Sequence, residues 1–502
     1  MRNVRNNPHK TAVICRETHT SLTYGEFNSR VNSLLNGLHE LGVRKGDRVA
    51  ILYHNCHHYA ELFFALIKGG MVLVPIDFRL KEREISFLLN NSQASMVVVG
   101  EDYIGVLPSP VDIPTVRSLI CIGKAPEGME DYEYLISSHP PQEPRVDVEE
   151  NDLATLYHTS GTTGVPKGVM MTHKNLISIA TNTLIAFRVN PDDITLHTSP
   201  FSHVAPLWPL LIHFYVGGNN LFLKKFDPQD VLKAIEEERI TTWNSVPTMI
   251  IQLLNYPDIH RYDLSSLRWI SYGAAPMPVE ILKRALTLFG PILIQVYGLT
   301  EAYPVTLLPR EDHIIDGPEE KLGRLGSCGR ELINCEARVV NERGEDVVPG
   351  EIGEIITRGD HVMEGYWRLP EETSATIKKG WLYTGDLATV DTARYIYIVD
   401  RKKEIIISGG ENISPREVEE VIYMHPLVSE VAVIGVPDEK WGEAVKAMVV
   451  LKEGKKATAR EIIDFCKDNL AGFKKPKSVE FLDSLPHTPS GKVLKRELRE
   501  RY

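Results

Sequence analysis

The chain has 502 residues, 43% hydrophobic and 25% charged, the composition of an ordinary globular protein with room for several domains and a large core. Its 56 Lys and Arg against 67 Asp and Glu leave a net charge of -11, which argues against a non-specific nucleic-acid binder. The start, from Met1 through Arg2 and Arg5 to Asn7, has no apolar core and is not expected to be a secretory signal; no apolar run is long enough to span a bilayer. Six Cys are scattered without C-x-x-C spacing, Cys328 and Cys335 being the closest pair, so free buried thiols in a reducing cytoplasm are expected rather than disulfides or zinc.

In chain order, Thr23-Tyr24-Gly25-Glu26 reads as a capping box. Behind it Phe27, Val31, Leu34, Leu35, Leu38 and Leu41 recur at helical spacing until Gly42. Strands over 48–53, 71–75 and 96–99 alternate with helices over about 58–68 and 81–90, which predicts parallel βαβ units. His54, Cys56, His57 and His58 cluster at a strand-to-helix turn, but no carboxylate or second Cys completes a convincing metal ligand set. Residues 108–151, rich in Pro, Glu and Asp, read as a loose surface connection. An apolar strand over 153–158 follows, and the alternation resumes with strands over 221–223, 267–272 and 292–297 and helices over 231–238 and 279–288. After about Gly326, residues 336–340 and 351–357 alternate with period two, predicting antiparallel β, and short strands continue over 381–409. A last α+β unit, about 414–502, has strands over 428–436 and 444–451 and helices over 415–423 and 457–470.

Five stretches carry chemistry. Thr159-Ser160-Gly161-Thr162-Thr163-Gly164-Val165-Pro166-Lys167-Gly168 combines glycines, hydroxyls and one ammonium behind the 153–158 strand, which suits a polyphosphate. It fails the P-loop template, since Pro166 precedes Lys167 and Gly168 follows it. Tyr297-Gly298-Leu299-Thr300-Glu301 offers an aromatic for a base and a carboxylate for Mg²⁺. Tyr383-Thr384-Gly385-Asp386 ends in an Asp suited to a ribose diol, though a turn-capping Asp is as common. Asp400-Arg401-Lys402-Lys403 is followed by the turn Gly409-Gly410-Glu411-Asn412, and Pro489-Ser490-Gly491-Lys492 sets a Lys on a small-residue loop before a basic tail. Each alone has an ordinary structural explanation.

Their order and spacing together resemble the successive core motifs of the adenylate-forming enzymes, the acyl-CoA synthetase superfamily, from about Pro8 to the end of the chain. The resemblance implies an α/β fold: a large N-terminal domain of two mostly parallel α/β subdomains plus a β-barrel, and a small hinged α+β C-terminal domain. It implies an AMP-binding N-terminal domain over 1–399, a hinge at 400–403 centred on Lys403, and a mobile domain over 404–502. The implied reaction is that of an acid–CoA ligase. ATP and a carboxylic acid give an acyl-adenylate and pyrophosphate, and CoA then displaces AMP. Such chemistry needs positioning and charge neutralisation, not a side-chain nucleophile.

By the same resemblance, Thr159, Ser160, Gly161, Thr162, Thr163, Gly164 and Lys167 face the phosphates. Glu301 holds Mg²⁺ with Thr163 or Thr300 assisting. Gly273, Ala274, Ala275, Pro276, Tyr297 and Gly298 line the nucleotide pocket, Asp386 and Arg401 bind ribose, and Lys492 bridges the carboxylate and the α-phosphate. His203, in Phe201-Ser202-His203-Val204-Ala205-Pro206, stands beside the acid's carboxylate; Ala205, Trp208, Gly273, Gly298, Pro304 and Val305 line the acyl pocket. These are small or apolar, which favours an uncharged tail: a medium- or long-chain fatty acid first, an aryl acid of the coumarate or benzoate type second. Trp208 and Trp243 could shorten a tunnel or simply pack in the core. Gly409, Gly410, Trp441, Phe473 and Lys475 fall where relatives contact CoA. Loading of a carrier protein instead of CoA is an alternative, and a non-catalytic nucleotide-binding protein of the same fold is another, disfavoured by intact Lys492, Glu301 and Asp386. Homodimers are common in such families, and Lys492 is a site for lysine acylation in relatives.

Overall fold

The computed structural model describes residues 2–159, 166–402, 404–409, 411–487 and 492–502. Two large sheets dominate. In one, eight strands run in the order Gly365–Tyr366, Lys167–Thr172, Leu153–Thr159, Val72–Ile76, Arg48–Leu52, Met96–Gly100, Ser118–Ile122 and Glu130–Asp131, parallel except at the first two pairings. The other has nine strands, with Leu293–Leu299, Trp269–Gly273, Thr242–Ser245, Ile194–His197, Asn219–Phe222 and Thr11–Cys15 parallel at its centre. The central strands Arg48–Leu52, Val72–Ile76 and Met96–Gly100 are nearly continuous apolar runs because both faces are covered. One buried cluster, from Ala12 to Ile396, joins the two sheets, with helix Tyr24–Glu40 packed across it. That helix starts at the expected capping box, Thr23 and Glu26 bonding reciprocally.

The stretch over 108–151 is more ordered than its Pro-rich composition suggests. It carries the strand Ser118–Ile122 and the helix Tyr132–Ser138, whose Tyr132 is fully buried. Edge pairing and one anchoring aromatic outweigh the weak local propensities here. This helix also corrects the reading of the His54–His58 cluster, because a carboxylate does arrive from far along the chain. Glu133 Oε1 lies 2.9 Å from His58 Nε2, and with His57 the donors fall within 4.8 Å of one another. The Arg30 guanidinium, however, holds both Glu133 oxygens at 2.7 and 2.9 Å and is shared with the buried Glu61, so that carboxylate is already engaged in an ion-pair network.

The smaller β unit, where the resemblance implies a barrel, is a five-stranded antiparallel sheet built on Glu336–Val340, Gly353–Arg358, Trp381–Val390 and Ile396–Arg401, with Ile377–Lys378 at one edge. The last part of the chain forms its own sheet, Glu411–Ile413, Ile406–Ser408, Gly442–Leu451 and Val428–Asp438, with Ser478–Phe481 added in parallel. Helices Pro415–Tyr423 and Ala459–Asn469 cover it, each capped by the residue before it, Ser414 or Thr458. Among the described residues no helix is long and apolar enough to cross a membrane, and the six cysteines are free and buried.

Candidate active site

Where the nine-stranded sheet, the smaller β unit and the C-terminal unit meet, a cavity of about 520 Å³ is lined by Ala274, Ala275 and Pro276, by Tyr297 and Gly298, by Asp386 and Arg401, and by Lys492. Residues separated by more than 200 positions in sequence therefore meet in one place, and each is set there by a local feature. Gly273 closes the strand Trp269–Gly273 directly opposite Val296, and a Cβ on it would stand 2.2 Å from the Val296 carbonyl oxygen. Ala274 then turns the chain at φ +66°, a left-handed conformation that L-residues adopt at a cost and that concentrates at functional sites.

Asp386 is aimed by a bulge. Thr384, Gly385 and Asp386 together oppose Ile355 in the antiparallel pairing, with Gly385 at φ +74°. Asp386 pairs across the sheet with Arg401, and Arg401 Nε stands 3.0 Å from its Oδ1. The Tyr297 hydroxyl donates to Oδ2 at 2.7 Å. Asp386 is only 4% exposed. Burial, and then the Asp386 charge, push the Tyr297 hydroxyl far above its ordinary value, so it remains a donor. The Asp386 charge in turn raises the Arg401 guanidinium. A tyrosine, a carboxylate and a guanidinium thus form a fixed triad at the cavity wall.

Lys492 enters from the C-terminal sheet. Burial lowers its ammonium below the ordinary lysine value and Arg401 adds to that, while Glu404 and Asp386 oppose. The chain that follows it is tied down: Lys495 reaches Glu419 at 2.8 Å and Glu404 at 3.7 Å, and helix Lys495–Arg501 buries Leu498. Burial disfavours the Lys495 charge, but Glu419 and Glu404 more than offset it. Across the join, Ser414 Oγ and the Arg416 N–H donate to Asp400 Oδ2 at 3.0 and 3.1 Å, fixing the helix Pro415–Tyr423 against the strand Ile396–Arg401.

A second group gathers around the phosphate-loop hairpin. Thr159 faces Lys167 across the pairing of Leu153–Thr159 with Lys167–Thr172. Ser160, Gly161, Thr162, Thr163 and Gly164 lie outside the described residues, as do the proposed hinge Lys403 and Gly410. Thr300 and Glu301 sit at the tip of the hairpin joining Leu293–Leu299 to Ala302–Leu308. Glu301 Oε1 accepts from the Tyr366 hydroxyl at 2.8 Å, and Lys167 pairs with Glu372. Glu301 is a hard carboxylate with one oxygen engaged by Tyr366, a donor that would suit Mg²⁺. Tyr366 and Glu372 were not foreseeable from motif spacing.

The expected acyl residues are divided. His203 and Ala205 precede helix Leu207–Val216, and His203 Nε2 stands 3.9 Å from Asp77 Oδ2, which Ser202 and Arg79 also reach. Burial lowers the His203 imidazole below its ordinary value, and the nearby Asp77 carboxylate opposes this. Gly298 abuts Tyr303 and Pro304, and Val305 is fully buried. Of the expected acyl residues Gly298 lines the cavity, whereas His203, Ala205, Trp208, Gly273, Pro304 and Val305 do not; Trp208 is fully buried and stacks on Trp269 beside Phe187. Trp243 likewise packs in the core and donates to Thr198. On the C-terminal unit, Gly409 lies beneath Trp441, whose ring is 40% exposed and flanked by Lys440 and Lys477. Phe473 and Lys475 precede Lys477 on the same segment, and Phe473 is also exposed.

The model of the AMP-binding enzyme family matches residues 1–367, and that of the AMP-binding enzyme C-terminal domain matches 417–492. A feruloyl-CoA synthase of an Amycolatopsis species is 41% identical over 100% of this chain and 98% of its own length. A long-chain-fatty-acid–CoA ligase of Bacillus subtilis is 35% identical over 98% of this chain and 92% of its own. Among solved structures, an anthranilate CoA ligase in complex with anthranoyl-AMP superposes with a TM-score of 0.92 at 27% identity, covering 100% of this chain and 95% of that one. With both family models in register along the chain and full-length identity above two-fifths, this protein belongs to the AMP-binding enzyme family and is an ATP-dependent acid–CoA ligase.

Proposed function

We propose that this protein activates an apolar carboxylic acid, a medium- or long-chain fatty acid or a similar acid, and passes it to CoA. The observation that carries the reading is the convergence of Tyr297, Asp386, Arg401 and Lys492 on one cavity beside the Ala274–Pro276 turn. In it the Asp386 carboxylate accepts both ribose hydroxyls, with Tyr297 and Arg401 holding its orientation. Adenine lies against Ala274, Ala275, Pro276 and the Tyr297–Gly298 backbone. Lys167 and the 159–164 loop take the β- and γ-phosphates. Lys492 places its ammonium between the acid's carboxylate and the α-phosphate, where negative charge concentrates as the mixed anhydride forms. Bound Mg²⁺ would draw charge off the phosphates, and Glu301 with Thr163 or Thr300 would hold it.

The second half-reaction needs the thiol to approach from a different side. We assign residues 1–399 to the nucleotide and acyl sites, 400–403 to a hinge at Lys403, and 404–502 to a domain that turns Lys492 away and brings Gly409 and Gly410 to the acyl-adenylate. Trp441, Phe473 and Lys475 then offer aromatic surface and positive charge to the CoA nucleotide. The six buried free thiols fit a reducing compartment, the cytoplasm. An aryl acid is the second reading, favoured by the 41% identity to a feruloyl-CoA synthase. His203, Ala205, Gly298, Pro304 and Val305 present no charge that would select an amino acid.

The test is AMP and pyrophosphate release from ATP with Mg²⁺ across short, medium and long fatty acids and benzoate and cinnamate types, each with and without CoA. CoA-dependent turnover of aliphatic acids is expected. Turnover of cinnamate types alone would transfer the assignment to the aryl reading. Adenylate formation that CoA does not consume would make the acceptor a carrier protein.

A further inference from the structure

Lys167, the ammonium of the phosphate loop, is not poised alone. It ion-pairs with Glu372, and its Nζ lies 5.0 Å from the centre of the Tyr366 ring, over the face. Both partners come from one segment laid against the hairpin: Tyr366 pairs with Val169, the Trp367 N–H donates to Gly168 O at 2.7 Å, and the Met363 N–H donates to Glu301 O at 2.8 Å. The Tyr366 N–H donates to Thr373 Oγ1 at 2.9 Å, which fastens the turn leading into helix Pro370–Thr376 and fixes where Glu372 stands. The Lys167 side chain is 15% exposed and that of Glu372 46%.

This arrangement gives Glu372 two effects of one sign. An ammonium bound to a carboxylate must give up that partner to meet a phosphate oxygen, and a carboxylate beside the ammonium also repels a polyphosphate directly. We infer that Glu372 competes with polyphosphate for the Lys167 ammonium and so sets how tightly pyrophosphate is held once the adenylate has formed. The inference rests on Lys167 being a phosphate ligand. Glu372 is then a positioning residue: it touches no reacting atom, holds the ammonium within the site, and loosens the leaving product.

The experiment is calorimetric titration of the full-length chain with magnesium pyrophosphate, for the wild type, Glu372→Gln, Lys167→Ala and the double variant. Glu372→Gln is expected to tighten binding about fivefold, the scale of a partly exposed ion pair. Lys167→Ala is expected to weaken it about tenfold, and adding Glu372→Gln to Lys167→Ala to change it by much less than in the wild-type background. Glu372→Asp, which shortens the reach while keeping the charge, serves if the Gln variant folds poorly and should tighten binding by a smaller factor. A purely structural role for Glu372 would lower the melting temperature without tightening pyrophosphate. If Lys167→Ala weakens binding while neither Glu372 variant tightens it, the competition is refuted and the phosphate role of Lys167 stands. If Lys167→Ala leaves binding unchanged, both fall.

Discussion

Replacing Asp386 by Asn tests the ribose site with little change of shape. In the wild type the carboxylate receives a 2.7 Å hydrogen bond from Tyr297 and an ion pair from Arg401. Hydrogen bonds to a charged group contribute roughly 1.5–3 kcal/mol each, about twice a neutral one. Arg401 is 41% exposed at its side chain, so its pair adds no more than about 1 kcal/mol. Neutralising Asp386 should then weaken two ribose contacts by about 1 kcal/mol each, a rise of about 30-fold in KM for ATP. It should also lower the melting temperature by a few degrees, because the amide must turn its NH₂ toward either Tyr297 or the guanidinium. Pyrophosphate exchange at varied ATP measures the first effect, with 2′,3′-dideoxy-ATP as the control. The wild type should discriminate against the dideoxy nucleotide and the variant should not. A KM for ATP within about threefold of wild type, or undiminished discrimination, would refute the assignment.

Lys492→Ala is expected to lose adenylation while still forming thioester from supplied acyl-adenylate; pyrophosphate release at the wild-type rate would remove Lys492 from the first step. Gly273→Ala forces a methyl to 2.2 Å from the Val296 carbonyl oxygen across a strand pair, so a loss of about 2 kcal/mol or more is expected, read as a lower melting temperature and weaker ATP binding; a variant normal in both would contradict the packing. Acid should destabilise the fold through histidine. Burial holds His197 down to about 3 and His213, His313 and His361 each down to about 4, so they stay neutral when folded and gain protons only on unfolding. Their contribution is complete above the unfolded value of about 6.5 and is lost as pH falls toward 4; a melting temperature that does not change between those limits would contradict it.

Helices and strands with a clear period were legible in the sequence, from the capping box at Thr23 to the helix Pro415–Tyr423, because one face or both faces of each are buried in a single core. Local order in 108–151 was not, since its strand depends on edge pairing with Met96–Gly100 and its helix on one buried tyrosine. Of the residues on the motif loops, Tyr297, Asp386, Arg401 and Lys492 meet at one cavity. What supports them was not legible: Glu133 lies 75 positions from His58, and Glu372 lies 205 from Lys167. Such contacts are decided by which strands become neighbours, and no local pattern encodes that. For Trp208 the sequence offers both a pocket and core packing, and the structure shows it in a cluster with Phe187 and Trp269.

The C-terminal unit has two separate apolar clusters. One, built on Ile406, Val418, Val433, Val449 and Ile462, holds the sheet to its helices. The other, among the described residues, buries Ala432, Ile434, Met448, Leu485 and Leu498 on the opposite face of the same sheet, with Val436, Val450, Leu482 and Val493 packed against them, and it anchors the arm that follows Lys492. Local opening free energy follows the contacts an element must give up, so the arm can release at a fraction of the cost of unfolding its domain. Amide exchange over 492–502 should therefore be faster than in the sheet it rests on.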